Sequence, residues 1–411
     1  MPASVGAAFV VTLASITLIA PLAIHMFLPV MPVVKTTFGV SDAAAGATFT
    51  ITLLVMAFAT LFYGSFSDRY GRRPVLLSGL ALFAAGSVLS ALAASVPWLV
   101  AGRMIQAAGA GCGVTLSRAI ARDAYGAGEL VKVIAYMTMA YTLGPMIAPL
   151  VGGMLLDVSG WRSVFWFAAL AGALVAAAAY QVLYETHVPD KARRGLSATV
   201  GGYGVLLKQP RFTAFVLQSG FSTGAFLSMA AASAFLMKEY LGRSATEFGV
   251  YFLLFPVGFF LGSLASGKLS KRVSIETMVL TGSLVAFGAA AFQAGAILAG
   301  HVTPLTLFVP GFFTTFGQGL ALPNAQVGAL RVMPSLSGTA AGLGVFFQMF
   351  LGAVFVQMYS TLANGTPLPM TIVVSSAAVL ALVSGIVPFV LKKRDRPRFP
   401  PPANGNNGGR P

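Results

Sequence analysis

The sequence predicts an all-α integral membrane protein, with twelve transmembrane helices arranged as two six-helix repeats. Composition is the first observation behind this prediction: 57% of the 411 residues are hydrophobic and only 9% are charged, whereas an ordinary soluble domain has about a quarter charged residues. The second observation is that the apolar residues form runs long enough to cross a membrane. The third is that the basic residues are divided unequally between the loops on the two sides of those runs.

The apolar runs define the helices. A helix needs about 20 residues to cross ~30 Å of hydrocarbon. We number the runs that reach this length span 1 to span 12: residues 7–34, 43–66, 74–94, 97–121, 132–156, 161–184, 212–237, 248–269, 277–299, 304–327, 336–362 and 370–391. The first run has no basic leader and is longer than the core of a signal peptide, so it is predicted to be retained as a helix.

The longest hydrophilic segment between spans, residues 185–211, separates two sets of six spans. We therefore predict an N-terminal six-helix bundle at residues 1–184, a cytoplasmic linker at 185–211 and a C-terminal six-helix bundle at 212–391. Residues 392–411 are basic and then rich in Pro, Gly and Asn. This composition predicts a disordered cytoplasmic tail.

The orientation of the spans follows from the 26 Lys and Arg residues. If the spans alternate in direction, 21 of these residues fall on the face that carries both termini and 4 fall on the other face, with Arg103 inside the membrane. Basic loops are enriched on the cytoplasmic side of membrane proteins, so both termini are predicted to be cytoplasmic. This asymmetry accounts for the net charge of +15 without a nucleic-acid partner.

The two halves carry a short internal echo. GSFSD at residues 64–68 is followed 198 residues later by GSLAS at residues 262–266, and each stretch lies between the second and third spans of its half. Two parallel repeats around a central cavity are typical of secondary transporters, which bind substrate near the middle of the membrane.

A charged hairpin joins span 2 to span 3. Its sequence, GSFSDRYGRR at residues 64–73, contains Asp68, Arg69, Gly71, Arg72 and Arg73. Lipid cannot accommodate such a turn, so the hairpin must lie in water at the membrane face. The pattern resembles the loop between helices two and three of the major facilitator superfamily.

This resemblance implies a gate at the hairpin. In that interpretation Asp68 pairs with a nearby arginine, and the loop is a latch that holds the cytoplasmic side closed in one state and breaks in the other. Gly71 permits a tight turn because it has no Cβ. The alternative is that these charges only anchor the loop in water.

Other stretches resemble more specific motifs. GRMIQAAG at residues 102–109 resembles the buried-arginine motif of the superfamily, and GPMIAPLVGG at 144–153 resembles the glycine–proline motif of exporters that act as antiporters. SRAIARD at 117–123, LPNA at 322–325 and GTAAG at 338–342 resemble the bicyclomycin-resistance branch of the twelve-span drug:proton antiporters. The resemblance implies the major facilitator fold and export of a small amphipathic drug or metabolite in exchange for protons.

The motif in span 5 combines a helix-bending residue with small residues. Pro145 removes a backbone hydrogen bond and bends the helix, while Gly144, Gly152 and Gly153 let another helix pack closely. The resemblance implies a contact that seals the cavity when it faces the cytoplasm. The alternative is an ordinary packing kink.

Arg103 is the basic residue that the assignment places well inside a span. A charged guanidinium in lipid is costly, so it should face the interior and have a partner. Gln106 lies one turn further on the same helix face. Arg103 could bind a substrate anion or influence a nearby proton site, or it could hydrogen-bond backbone carbonyls of span 1, and the sequence leaves these roles open.

The acidic residues do not supply the usual proton carrier. All eleven fall in loops, at helix ends or in the tail. Where members of the branch read Asp-Met-Tyr-Leu-Pro in span 1, this chain reads HMFLP at residues 25–29. His25 can still carry a proton because its reference pKa is about 6.5, or it can act as a neutral hydrogen-bonding group. Without the acid, neutral or anionic substrates are favoured over cations.

Aromatic and amide side chains at membrane depth are candidates for the substrate pocket, which is expected to be mostly apolar with a few polar groups. The candidates are His25, Arg103, Gln106, Tyr141, Gln218, Phe221, Phe255, Phe347 and Gln348.

Other chemistries find little support in the sequence. Cys112 is the single cysteine, the three histidines lie at different depths, and no phosphate-binding glycine–lysine loop is present. We expect no catalytic residue, metal or cofactor, and a monomer in the bacterial inner membrane whose partners are a small-molecule substrate, protons and the lipid bilayer. An importer or an uncoupled facilitator of a neutral or anionic molecule stays open, as does a membrane sensor or enzyme.

Overall fold

The structure is a computed structural model that describes residues 6–125, 127–187 and 196–395. Within those ranges the chain is helical, and twelve helices are long and apolar enough to cross a membrane. The fold class predicted from the sequence is therefore confirmed. We keep the numbers span 1 to span 12 for these helices: Ala7–Phe38, Asp42–Tyr70, Arg72–Ala91, Val96–Ala124, Lys132–Ser159, Trp161–Val182, Pro210–Tyr240, Ala245–Leu269, Ile275–Leu298, Pro304–Val332, Gly338–Leu362 and Leu368–Leu391.

Polar caps set the starts of five helices. The side-chain oxygens of Ser41, Ser95, Ser244, Ser274 and Thr303 each accept a hydrogen bond from a backbone N–H one turn into the helix that follows. Such caps satisfy backbone donors that have no partner inside the helix. Because the capping residues are polar, four of these helices begin one to three residues before the apolar runs from which they were predicted, and the helix after Thr303 begins at Pro304, as predicted.

Span 1 is interrupted near its middle. A regular helix covers Ala7–His25, a single 3₁₀ turn covers Leu28–Val30, and a second helix covers Met31–Phe38. Pro29 lies in the turn and has no backbone N–H to continue the helical hydrogen bonds. His25 is therefore the last residue of the first helical part.

The segment between the halves is more ordered than its composition suggested. Within the predicted linker 185–211 lies a helix, Leu196–Leu207, which we call the linker helix. Its Leu206 is fully buried against the C-terminal half, and Gly202 lies next to Thr339 of span 11. The last helix extends to Asp395, into the predicted tail. Residues 188–195 and 396–411 lie outside the described residues.

The two halves meet mainly along two pairs of helices, span 2 with span 11 and span 5 with span 8, and span 1 also contacts spans 7 and 8. In the first pair, the rings of Phe58 and Phe346 are 5.3 Å apart between centroids. In the second, Gly249 of span 8 packs against Leu150 of span 5 so closely that an added Cβ would lie 2.6 Å from the Leu150 Cα. The other contacts of these helices lie mainly inside their own half.

An even number of spans places the beginning of span 1 and the end of span 12 on the same face. We call this the basic face, because it carries the charged hairpin, and we call the other the opposite face. Among the described residues, polar contacts that join the halves lie near the opposite face, as for Lys35 with Glu239 and Asp157 with Thr246. The structure is therefore closed at the opposite face.

Candidate functional site

His25 lies where the two halves meet at the middle of span 1. Its side chain is 6% exposed, and its Nδ1 atom has no hydrogen-bond partner in the part of the chain that the structure describes. The imidazole faces the C-terminal half, with its centroid 6.0 Å from the ring of Phe226 in span 7 and 6.3 Å from that of Phe252 in span 8. An ionisable group with a free ring nitrogen thus borders the contact between the halves.

Behind these two rings lies a larger aromatic cluster. Phe255, which was predicted to line the pocket, is fully buried. Its ring centroid is 5.0 Å from that of Phe252, 5.1 Å from that of Phe308 and 6.2 Å from that of Phe226. Phe255 therefore supports the residues that face His25. Phe226 and Phe252 were missed, because the chain has 32 phenylalanines and sequence spacing does not tell which of them meet a histidine from the other half.

Arg103 is held inside the N-terminal half and is 1% exposed. Its Nη1 donates to the backbone oxygen of Ala23 at 3.0 Å and to Oε1 of Gln106 at 2.6 Å, and Gln106 donates to Oγ of Ser87 at 2.8 Å. The guanidinium carbon lies 4.3 Å from the ring centroid of Phe27, a favourable cation–π geometry. This network joins spans 1, 3 and 4. In this conformation neither Arg103 nor Gln106 is accessible to a substrate, and Arg103 makes the backbone contact to span 1 that was its alternative role.

Two further pocket candidates lie in contacts inside the C-terminal half. Gln218 is 1% exposed, and its Nε2 donates to Oγ of Ser283 at 3.0 Å, which joins span 7 to span 9. Phe221 makes an edge-to-face contact with Phe355 of span 11, with 6.0 Å between ring centroids. Gln218 therefore has a structural partner, and Phe221 packs between two helices of one half.

The remaining pocket candidates are on spans 5 and 11. Gln348 is buried, and its Nε2 atom has no hydrogen-bond partner among the described residues. Phe347 is half-buried and packs edge-to-face against Phe346, at 5.5 Å between centroids. Tyr141 is half-buried in span 5. Of these three, Gln348 has the feature expected of a binding group, a buried polar atom that lacks a protein partner.

At the basic face, Arg72 joins two acids of the N-terminal half. Its Nη1 lies 2.7 Å from Oδ1 of Asp68 and its Nε lies 3.0 Å from Oδ2 of Asp123. The Arg72 side chain is only 4% exposed, so the two carboxylates are close partners for a largely desolvated charge. These contacts tie the end of span 2 to the start of span 3 and the end of span 4. The sequence had indicated Asp68, but it gave no assignment to Asp123.

The start of span 3 is capped by a carboxylate that is distant in sequence. Backbone N–H groups of Arg72 and Arg73 donate to the carboxylate of Glu185 at 2.9 and 3.1 Å. Gly71 precedes them with φ of +98°, a conformation that other residues rarely adopt. Arg73 also donates to the backbone oxygen of Tyr180 in span 6 at 2.7 Å. The hairpin is thus attached to the end of span 6.

Arg69 has a local contact, since its guanidinium carbon lies 5.5 Å from the ring of the neighbouring Tyr70. The echo in the C-terminal half is uncharged. Ser266, which stands where Asp68 does in the first repeat, accepts a hydrogen bond at 2.7 Å from Nδ2 of Asn324 in span 10. A separate ion pair between Arg211 and Glu276 joins the starts of spans 7 and 9.

The glycines of span 5 mark close approaches to span 1. An added Cβ at Gly144 would collide with the ring of Pro21. One at Gly152 would lie 2.5 Å from the backbone oxygen of Met26. Pro145 lies inside the same helix. Span 5 and the interrupted middle of span 1 therefore pack with their backbones close together.

Gly153 makes the approach between the halves. A Cβ at this position would collide with the backbone oxygen of Ala245, at the start of span 8. Gly249, one turn further along span 8, meets Leu150 in the same way. The two glycines form a seam, the Gly153–Gly249 seam, in which spans 5 and 8 touch near the opposite face.

Comparison with known proteins identifies the family. A sequence model of the Major Facilitator Superfamily matches residues 13–357. The chain is 25% identical over 386 residues to a bicyclomycin resistance protein homolog of Haemophilus influenzae. The matched region covers 92% of this chain and 94% of that relative. It is 28% identical over 319 residues to multidrug resistance protein D of Escherichia coli, covering 77% of this chain and 79% of that protein.

Among solved structures, a D-xylose–proton symporter matches with a TM-score of 0.74 at 15% identity and covers 93% of this chain and 97% of its own. At this identity the match supports the fold alone. The resemblance to the bicyclomycin-resistance branch, drawn above from the motifs, is confirmed by the relatives. The chain belongs to the major facilitator superfamily and is a multi-pass membrane transporter rather than an enzyme.

Proposed function

We propose that this transporter exports a small amphipathic drug or metabolite across the bacterial inner membrane by alternating access, in exchange for protons. The observation that carries the proposal is the position of His25, an ionisable residue with an unpartnered ring nitrogen at the contact between the halves. The relatives support the substrate class, since two of them are named for resistance to bicyclomycin and to multiple drugs.

The excess of basic residues supports the orientation. If the basic face is cytoplasmic, both termini lie in the cytoplasm. The structure, which is closed at the opposite face, then corresponds to a state closed to the outside. In this proposal residues 1–184 and 212–391 rock against each other as a monomer. The linker at 185–211 connects them.

His25 is proposed to carry the exchanged proton. Protonation would place a cation next to the rings of Phe226 and Phe252, whose centroids are 6.0 and 6.3 Å from that of His25, and aromatic rings attract a nearby cation. Bound substrate would displace the proton, because both would occupy the contact between the halves. The described spans place no carboxylate beside His25, so a neutral or anionic substrate is the better fit.

The gates are proposed on the same geometry. Asp68, Arg69, Gly71, Arg72 and Arg73 would close the basic face when the opposite face opens. Gly144, Pro145, Gly152 and Gly153 would seal the opposite face, and the close approach of Gly153 to Ala245 supports this role. Substrate would contact His25, Phe226, Phe252 and Gln348, with Tyr141, Phe221 and Phe347 as further candidates.

A flux measurement tests the proposal. Purified protein is screened by thermal shift against antibiotics and metabolites of varied charge, and a compound that stabilises it is loaded into reconstituted vesicles. Export by proton exchange predicts that an imposed pH gradient drives the compound against the direction of proton flow. Flux that only follows the compound's own gradient would indicate a facilitator instead. Movement in the same direction as protons would indicate an importer.

A further inference from the structure

The opposite face carries a polar contact that none of the recognised motifs includes. Asp157, near the end of span 5, reaches the start of span 8 in the other half. Its Oδ2 accepts hydrogen bonds at 2.7 Å from both the backbone N–H and the hydroxyl of Thr246, and its Oδ1 accepts one at 3.4 Å from the N–H of Ala245. A carboxylate of one half thus occupies the helix start of the other.

Helix geometry explains why this contact favours closure. The first N–H groups of a helix have no partner within it, and they carry a partial positive charge that a carboxylate stabilises. Oγ of Ser244 accepts a hydrogen bond from one of these donors, the N–H of Glu247, at 3.1 Å. Asp157 accepts hydrogen bonds from the two preceding N–H groups, those of Ala245 and Thr246. Separating the halves would leave these donors to water and remove the favourable charge.

The backbone approach at the Gly153–Gly249 seam is a condition for this contact. The carboxylate of Asp157 is short, so it reaches Thr246 only if spans 5 and 8 lie close together. Gly153 and Gly249 allow that approach, because a side chain at either position would meet the backbone of the other helix. The polar contact and the apolar seam therefore form or separate together.

A second cross-half contact lies at the same face. Lys35, near the end of span 1, places its Nζ 2.9 Å from Oδ1 of Asp42 and 2.8 Å from Oε2 of Glu239 at the end of span 7. These three side chains are between 18% and 27% exposed, so they are partly shielded from solvent. Asp42 belongs to the same half as Lys35 and orients it. The bond to Glu239 crosses to the other half.

We propose that Asp157 and the Lys35–Glu239 pair form a two-point latch, which sets the share of molecules that are closed at the opposite face. The proposal rests on alternating access in the function proposed above. Both contacts must break before the halves separate at this face. They involve different helices of the C-terminal half: Asp157 binds the start of span 8, and Lys35 binds the end of span 7. Loss of either contact therefore shifts the population toward the state open at the opposite face.

The structure also offers a place to observe opening. A cavity of about 210 Å³ lies beside the latch, and Asp157, Ala234, Met237, Lys238 and Phe248 are among the residues that line it. Ala234 is 3% exposed in the closed structure. A cysteine at this position should become reactive toward a membrane-impermeant maleimide when the face opens. The natural Cys112 is buried in span 4, and its background is measured in the unmodified protein.

The experiment compares maleimide labelling of Ala234→Cys alone and combined with Asp157→Asn or with Lys35→Gln, in vesicles. We expect each change to raise the labelling rate about fivefold, the effect of losing one charge interaction at a partly exposed helix end or ion pair. Glu247→Gln is the matched control. Glu247 lies in the first turn of the same helix but pairs with Arg243 of its own half, at 3.5 Å, so the labelling rate should stay the same.

Unchanged labelling in both the Asp157→Asn and Lys35→Gln proteins would overturn the latch. Equal labelling increases in these proteins and in Glu247→Gln would also overturn it, since that result indicates a general loosening of span 8. The measurement needs neither a substrate nor a pH gradient. A negative result therefore leaves the proposed export untouched, and failure to observe export leaves the labelling result standing.

Discussion

The imidazole of His25 and the phenyl ring of Phe226 lie 6.0 Å apart, centroid to centroid, across the contact between the two halves. The Nδ1 atom of His25 is buried and has no hydrogen-bond partner among the described residues. A change of charge here acts on both halves at once.

His25→Gln should keep exchange of substrate across the membrane but lose its response to a pH gradient. Glutamine preserves hydrogen bonding and cannot take up a proton in this range. His25→Asp should restore the gradient dependence, because it supplies a titratable acid, and should shift preference toward cations. Flux in reconstituted vesicles measures all three proteins. His301→Gln, at an exposed position, is the control, and normal gradient-driven flux in His25→Gln would exclude His25 as the carrier.

Asp68→Asn should leave the protein inserted and folded but slow transport. The change removes one of the two carboxylates that pair with Arg72 while Asp123 stays in place. A partly shielded ion pair contributes about 1 kcal/mol, which is about fivefold in the balance between two conformations. Initial transport rates compared with Glu129→Gln, an exposed acid on the same face, provide the measurement. Equal rates in the two variants would argue that the hairpin charges only anchor the loop.

Gly153→Ala should disturb closure of the opposite face. The new Cβ would meet the backbone oxygen of Ala245, and neither backbone can move without separating spans 5 and 8. Overpacking of this kind costs about 1–3 kcal/mol. We expect faster maleimide labelling of Ala234→Cys and slower transport. Gly288→Ala is the matched control, because nothing lies within 4 Å of a Cβ added there, and equal behaviour of the two alanine variants would refute the seal.

Arg103→Lys should lower stability more than substrate binding. Nη1 of Arg103 donates to both the Ala23 oxygen and the Gln106 side chain while the planar guanidinium lies over the ring of Phe27. A lysine has no planar group, and its nitrogen lies nearer the backbone, so it cannot reproduce this arrangement. The loss should be about 2 kcal/mol, the contribution of a hydrogen bond to a charged group. The thermal midpoint in detergent and the substrate affinity of the folded fraction separate the two effects. A normal midpoint with weakened affinity would assign Arg103 to substrate binding after all.

The spans could be predicted because long apolar runs have few alternatives. Their starts shifted where Ser41 or Ser95 caps the helix, since a polar cap lies outside an apolar window. The linker helix was missed because Gly201, Gly202 and Gly204 reduce its helix propensity, and its burial against span 11 compensates only in the folded protein. Long-range packing of this kind leaves no local pattern.

The site was predictable in part, and the reason differs from residue to residue. His25 attracted attention through its departure from the branch pattern. Asp157 did not, because its partner is a backbone N–H 89 positions away, and backbone donors have no sequence signature. Gln218 was assigned to a pocket because it is polar and lies at membrane depth. Its actual partner, Ser283, lies 65 positions away in the same half.

The hydrogen bonds from Arg103 to Ala23 and from Gln106 to Ser87 lie within the N-terminal half. The bonds of Asn324 to Ser266 and of Gln218 to Ser283 lie within the other half. Each half is thus stabilised by its own internal hydrogen bonds. The Gly153–Gly249 seam between the halves consists of backbone contact, which re-forms whenever the two surfaces meet. A gene split within codons 188–195 should accordingly yield two polypeptides that insert separately and associate in the bilayer. The covalent connection would then serve mainly to keep the partners in equal number.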